Sequence, residues 1–147
     1  MKYKRRKGNA TINSTKKTYD GIKFDSMLEI YCYKRLKQEN ISFSYNEEVF
    51  NILDSFHFKN TSLERRGKSP IDNRGDKKVM GMRYTPDFTN EYFIIEVKGS
   101  ANETFPIRWK LFKNLLNKNQ DKRTLYKPQS KADVDTCIYH ILKNFYS

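Results

Sequence analysis

Residues 84–99 read YTPDFTNEYFIIEVKG, and the reading of this stretch decides the fold. Two extended segments, KVMGMRYTPDF over 78–88 and EYFIIEVKG over 91–99, flank a turn near Thr89-Asn90. Side chains alternate faces along a strand, so Ile94, Glu96 and Lys98 point one way while Phe93, Ile95 and Val97 point the other. Glu96 and Lys98 thus stand ~6–7 Å apart on one face, and their apolar flanks imply burial of the strand. A two-residue turn at Asn90-Glu91 sets Asp87 opposite Ile94, on the Glu96 face and diagonal to Glu96. A three-residue turn reverses that parity.

Two carboxylates and a lysine converging on one sheet face suit metal-assisted phosphodiester hydrolysis. Hard oxygen ligands hold Mg²⁺, which keeps several waters and binds the scissile phosphate. The ion polarises the phosphoryl oxygen and lowers the pKa of a bound water. A lysine beside it orients that water or stabilises charge in the transition state. The ordinary alternative for E-x-K is an ion pair in a hairpin. Pro86-Asp87, nine positions before Glu96 with apolar residues between, favours the catalytic reading.

Charge points to the same chemistry. The chain has 147 residues, enough for one domain with a sizeable core, and 29 basic against 17 acidic side chains leave a net charge of +12. Such a balance calls for a polyanionic partner, most often nucleic acid. The aromatic share of 14% excludes a merely disordered basic tail. Residues 1–23 hold eight basic side chains, among them Lys4, Arg5, Arg6 and Lys7, against Asp20 alone, and read as a flexible arm. Residues 59–83 hold eight more, including Arg65 and Arg66, against Glu64, Asp72 and Asp76. Their core, NTSLERRGKSPIDNRGDKKVMG, is rich in Gly, Ser, Asn and Asp and reads as a long loop. Both segments are placed to wrap phosphates, or else serve as a solvated tail and loop.

Outward from the decisive stretch, SMLEIYCYKRLKQE over 26–39 carries an apolar stripe at Leu28, Cys32 and Leu36 and an S-x-x-E capping box at Ser26 and Glu29, predicting a helix. NISFSYNEEVFNI over 40–52 reads as extended, with Glu47 and Glu48 facing solvent in preference to modulating a secondary phosphate site. A helix follows over 104–118 with Phe105, Trp109, Phe112, Leu115 and Leu116 on one face, then a short strand RTLYK and a last helix over 131–145.

Other chemistries find little support. Cys32 and Cys137 lie far apart without CxxC spacing, which suggests a reducing compartment. His57 and His140 are too isolated for a His-based metal site or a catalytic triad. The glycines form no phosphate-cradling pattern. No apolar run approaches the ~18 residues of a membrane span, and the basic N-terminus precedes no signal-peptide apolar region.

TPDF followed by IIEVKG resembles the PD-(D/E)XK nuclease superfamily, with its restriction-endonuclease-like fold. GIKFDSMLEIYCYKRLKQENISFSYNEEVF, with its G-x-x-F-D-S-x-x-E opening, is similar to the first helix and strand of phage resolvase-like endonucleases, including phage endonuclease I and a family of small phage proteins. TFPIRWKLFKNLL is similar to the helix after the E-x-K strand in that phage family. The resemblance spans about residues 20–118. It implies an α/β fold, an αβββαβ core with a central mixed sheet flanked by helices. It implies a basic arm over 1–19 and a nuclease domain over 20–147, into which the unmatched segment at about 59–81 is inserted. It further implies Asp87 and Glu96 as ligands of Mg²⁺ (Mn²⁺ substituting), completed by the Val97 carbonyl, with Lys98 as catalytic lysine and Glu29 as an additional acid near the metal. Arg108 and Lys110 would contact phosphates, although a solvated helix face accounts for them nearly as well.

Three functions follow as expectations. The first is a Mg²⁺-dependent endodeoxyribonuclease acting on branched DNA such as Holliday junctions, with a homodimer expected by resemblance because two strands must be cut. It would act in the cytoplasm of a bacterial host if phage-encoded, gripping duplex by shape. A general phage DNA-processing nuclease is the second, and a non-catalytic nucleic-acid-binding protein the third. A restriction-type enzyme would need a recognition element, for which only the 59–83 segment is at hand.

Overall fold

The structure, a computed structural model, describes residues 16–99 and 104–147; Lys4, Arg5, Arg6 and Lys7 lie outside them. Ser26 opens the first helix, α1 (Met27–Gln38): its hydroxyl accepts from the Glu29 amide at 3.1 Å, as the capping box requires. Ahead of it, β1 (Lys17–Tyr19) and β2 (Ile22–Phe24) pair antiparallel around Asp20-Gly21. Both turn residues have positive φ, 52° and 74°, the geometry that makes Asp-Gly a two-residue hairpin turn. The end of the segment read as a flexible arm is therefore a hairpin, tied to α1 by the Tyr33 hydroxyl donating to Asp20 at 2.6 Å.

The central sheet has the order β12-β11-β10-β3, built from β3 (Ser44–Tyr45), β10 (Phe88–Thr89), β11 (Phe93–Ile95) and β12 (Thr124–Tyr126). Strand β10 runs antiparallel to β3 and β11, and β11 runs parallel to β12. The remaining helices, α2 (Phe105–Lys118) and α3 (Lys131–Phe145), flank β12 in sequence. The protein is thus mixed α/β, with small mixed sheets and three helices. The elements carrying the central sheet follow each other as α-β-β-β-α-β-α.

Strand β11 separates two apolar clusters. Phe93, Ile95 and Val97 face one made with Leu36 and Cys32 of α1 and Val134, Ile138 and Ile141 of α3. Ile94 faces the other, made with Phe105, Trp109, Phe112 and Leu116 of α2. The predicted alternation and the three helices are present. The register differs: Thr89 pairs with Ile94 and Phe88 with Ile95, so four residues, 90–93, form the turn instead of two. Asn90 makes the longer turn, its side-chain oxygen accepting from the amides of Tyr92 and Phe93 at 2.8 and 2.9 Å. A shift of two preserves the parity. Asp87 therefore stays on the Glu96 face but comes opposite Glu96, not Ile94.

The segment read as a loop over 59–81 is also different. Strands β4 (Phe50–Leu53), β5 (Phe56–Phe58) and β6 (Leu63–Glu64) pair in nested order with β9 (Met82–Tyr84), β8 (Lys77–Val79) and β7 (Asp72–Asn73). Residues 50–84 are one long, interrupted antiparallel ribbon. Its polar composition masked the strands because neither face of its outer part is buried, so no apolar alternation is required. Close packing holds it together: a Cβ at Gly75 would strike the Asn60 carbonyl, and one at Gly81 the Leu53 carbonyl.

Glu48, expected to face solvent, is fixed by Arg123, whose two terminal nitrogens reach its carboxylate at 2.7 and 2.8 Å. Arg123 also binds Asp121 and lowers the pKa of both acids. The pairing clamps the start of β12 to the segment after β3.

Phe112 is fully buried and packs on Phe50 and Tyr84 with ring centroids 4.9 and 4.7 Å apart, joining α2 to the ribbon base. Phe112→Ala should cost about 3–5 kcal/mol, the usual loss for a large aromatic in a packed core. Urea denaturation at an unchanged m-value would show it; a loss below about 1 kcal/mol would mean that α2 does not anchor this face.

Candidate active site

Past Ile95 the backbone stays extended alongside the chain after β12, the Glu96 amide donating to the Tyr126 carbonyl and the Lys98 amide to that of Pro128, both at 2.9 Å. The strand alternation therefore carries through Lys98. Glu96 and Lys98 emerge on the α2 side, at a polar cavity of about 360 Å³ that Asp87, Tyr84, Arg83, Asp25 and Arg108 also line.

Each acid is held by a specific donor. The Val97 amide donates to Asp87 Oδ2 at 2.7 Å, and the buried Tyr84 hydroxyl donates to Glu96 Oε2 at 2.6 Å. The Asn46 amide donates to the Asp87 carbonyl at 2.8 Å, tying the strand to the segment after β3. Glu29, in the first turn of α1, accepts from the Tyr45 hydroxyl at 2.7 Å and from the Asp25 amide at 3.3 Å. Its capping role and its place beside the acids coexist. The Lys98 ammonium lies over the Phe105 ring, 4.8 Å from its centroid, so a cation–π contact links it to the start of α2.

The electrostatics follow from this crowding. Burial, then the charges of Glu96 and Glu29, push the Asp87 carboxyl up to about 9 from its ordinary 3.8. Burial also raises Glu96, against the lowering effects of the Tyr84 hydrogen bond and the Lys98 charge. Glu29 is raised too, chiefly by burial. Three neighbouring acids thus share a desolvated setting that disfavours their combined negative charge, a pattern concentrated at functional sites.

Of the residues expected in the site, Asp87, Glu96, Lys98 and Arg108 meet at one cavity, with Glu29 adjoining. Lys110 is exposed on α2 away from the cavity lining, and Arg65 and Arg66 are exposed on the ribbon. Tyr84, Arg83, Asp25 and Tyr45 were not anticipated. Tyr84 and Arg83 lie in or beside the decisive stretch, but their place depends on how β9 pairs with β4, which has no local signature. Asp25 stands in the F-D-S pattern. Tyr45 reaches Glu29 only through tertiary packing.

Asp87 and Glu96 are hard oxygen donors, the type suited to Mg²⁺, which binds through one or two carboxylates while keeping waters. Among the described residues, no group of three or more His, Cys, Asp or Glu is arranged to hold a metal ion. The set present therefore fits a two-carboxylate site better than a cage made by side chains alone.

The chain belongs to a family described as a protein of unknown function, DUF1064, which it matches over residues 9–129. That match takes in the cavity, the ribbon, α2 and β12 and ends before α3. No curated protein and no solved structure matches the chain. Among the described residues, no helix is long and apolar enough to cross a membrane.

Because native Asp87 keeps its proton to about pH 9 and the unfolded residue loses it near 3.8, the folded state binds the extra proton between those values. Stability therefore falls as pH rises through that window. In chelator, the urea midpoint should decline from about pH 5 to about pH 9, and Asp87→Asn should remove much of that decline and be the more stable protein near pH 8. Parallel pH profiles for the two proteins would show that Asp87 contributes no such linkage.

Proposed function

We propose that this chain is a metal-dependent endodeoxyribonuclease with a restriction-endonuclease-like core, acting on branched DNA. The observation that carries the reading is the opposed pair of half-buried Asp87 and buried Glu96, with Lys98 on the same side of the strand and Arg83 and Arg108 at the same cavity. Two acids raised by burial and mutual repulsion gain from a cation between them and gain nothing in a protein that merely binds a polyanion.

Asp87 and Glu96, with the Val97 carbonyl, are the groups that would hold Mg²⁺, or Mn²⁺ in its place. The ion when bound supplies Lewis-acid polarisation of the phosphate and a more acidic water. Lys98 hydrogen-bonds the attacking water or the phosphoryl oxygens, and its contact with Phe105 limits the directions the ammonium samples. Arg83 and Arg108 neutralise the non-bridging oxygens. Hydrolysis adds the water oxygen to phosphorus, breaks one phosphorus–oxygen ester bond and returns a proton to the departing sugar oxygen. Tyr84 holds Glu96, and Glu29, held by Tyr45, is the additional acid near the metal. Branched DNA follows from the resemblance of the motif set, as does a homodimer that would supply two such sites.

A second reading, a module that binds nucleic acid without cutting it, has its support in the exposed cations of the ribbon, Arg65 and Arg66 among them. The two are separated by incubating the protein with Mg²⁺ and a synthetic four-way junction or linear duplex of matching sequence. Paired symmetric nicks on the junction are expected, with Asp87→Ala and Lys98→Ala lowering the rate at least about 100-fold, the scale for losing an electrostatic or acid–base group. Lys98→Ala should still bind the junction in Ca²⁺. Equal cutting of linear duplex would demote the protein to a general nuclease, and no metal-dependent cutting of either would leave the binding module.

A further inference from the structure

Residues 59–83 carry eight cations: Lys59, Arg65, Arg66, Lys68, Arg74, Lys77, Lys78 and Arg83. Among the described residues, the basic partners in ion pairs are Lys16, Arg35, His57 and Arg123, and none of these eight takes part. The ribbon's own acids are engaged elsewhere. Asp76 pairs with His57 at 2.7 Å, Glu64 accepts from the Ser62 hydroxyl, Asp54 from Asn51 and Asp72 from the Asn73 amide. With eight cations against four acids, none of them paired to these cations, the ribbon carries a net charge of +4 and presents a positive field.

Its shape limits what can meet that field. The outer pairs β5–β8 and β6–β7 are exposed at every position, and a two-stranded ribbon alone is marginally stable in water. A DNA major groove is about 12 Å wide and admits a two-stranded ribbon. At ~3.3 Å per residue, the chain from Phe50 to Glu64 reaches at most about 45 Å, little more than one turn of duplex. The base of the ribbon is part of the site, since Arg83 and Tyr84 of β9 line the cavity and Tyr84 holds Glu96.

We propose that the ribbon over residues 50–84 is a DNA-docking arm that enters the major groove of a duplex beside the scissile phosphate. The arm rests on the nuclease reading for its place in catalysis, but its docking is independent of cleavage. Strand pairing divides its middle into two faces, Phe56, Val79, Phe58 and Lys77 on one and His57 and Lys78 on the other. Apolar rings flanked by cations suit thymine methyls and sugar edges between two phosphate walls. The alternative role for the cations is to blunt the open edges of the ribbon against pairing with other chains.

The test uses the full chain on linear duplex in Ca²⁺, where binding is read without cutting. Dimethyl sulfate should reveal protection of guanine N7, a major-groove atom, within about one helical turn of the bound position. The triple variant Arg65→Gln, Arg66→Gln, Lys68→Gln changes exposed residues only. It should lose that protection, bind at least about tenfold more weakly and lower the salt slope by about two to three. Unchanged affinity and salt slope in the variant would overturn the proposal. Weaker binding by the variant, with N7 unprotected by the wild type, would also overturn it, since the arm would then touch phosphates alone. A wild type that protects N7 but never cuts would refute the nuclease reading and leave the arm standing.

Discussion

Strand β11 is buried on both faces, and most of the molecule is arranged around that constraint. Its side chains must alternate between two cores, so Phe93, Ile95 and Val97 anchor α1 and α3 while Ile94 anchors α2. Once those apolar positions are set, parity leaves no choice about Glu96 and Lys98. They leave the core on the α2 side, beyond the last apolar contact, where the sheet opens into a polar cavity. A slip of one residue would bury the two charged groups Glu96 and Lys98 against α1 and α3 and turn Val97 toward the polar cavity.

The same packing explains why the acids are costly. Asp87 and Glu96 face each other over a sheet whose other surface packs on the largely apolar core with α1 and α3, and Glu29 approaches from α1. Hydrogen bonds from Val97 to Asp87, from Tyr84 to Glu96 and from Tyr45 to Glu29 offset part of the desolvation. Each of these donors comes from a different part of the chain, so the site is held by the fold as a whole. Arg123 plays the corresponding part at the far end of the sheet, where its ion pairs bind β12 to the segment after β3.

Much of this was legible locally. The helix at 27–38 follows from the Ser26–Glu29 box and its apolar stripe, and the last helix from the spacing of Val134, Ile138 and Ile141. The two-residue turn assumed at Asn90-Glu91 was wrong because an asparagine side chain can cap a four-residue turn as well as sit within a tight one. Even so, the error of two kept Asp87 and Glu96 on one face. The hairpin around Asp20-Gly21 had a local sign in that dipeptide, overridden by the surrounding basic residues. The base of the ribbon reads as extended over 40–52 and 78–88, but its pairing, which joins positions up to 34 apart, had no local sign, and the exposed outer strands need neither alternation nor apolar residues.

By itself, the sequence determined the helices, the buried strand, the strongly basic charge and the presence of Glu96 and Lys98 on one strand face. These are properties of neighbours along the chain, set by periodicity, capping and composition. Only the tertiary structure decided that Tyr84, Tyr45 and Arg83 join that site, that Asp87 stands opposite Glu96, and that the basic insertion is a ribbon rooted at the cavity. Those outcomes depend on strand register and long-range pairing, which arise when separate segments compete to bury their apolar faces and satisfy their backbone hydrogen bonds.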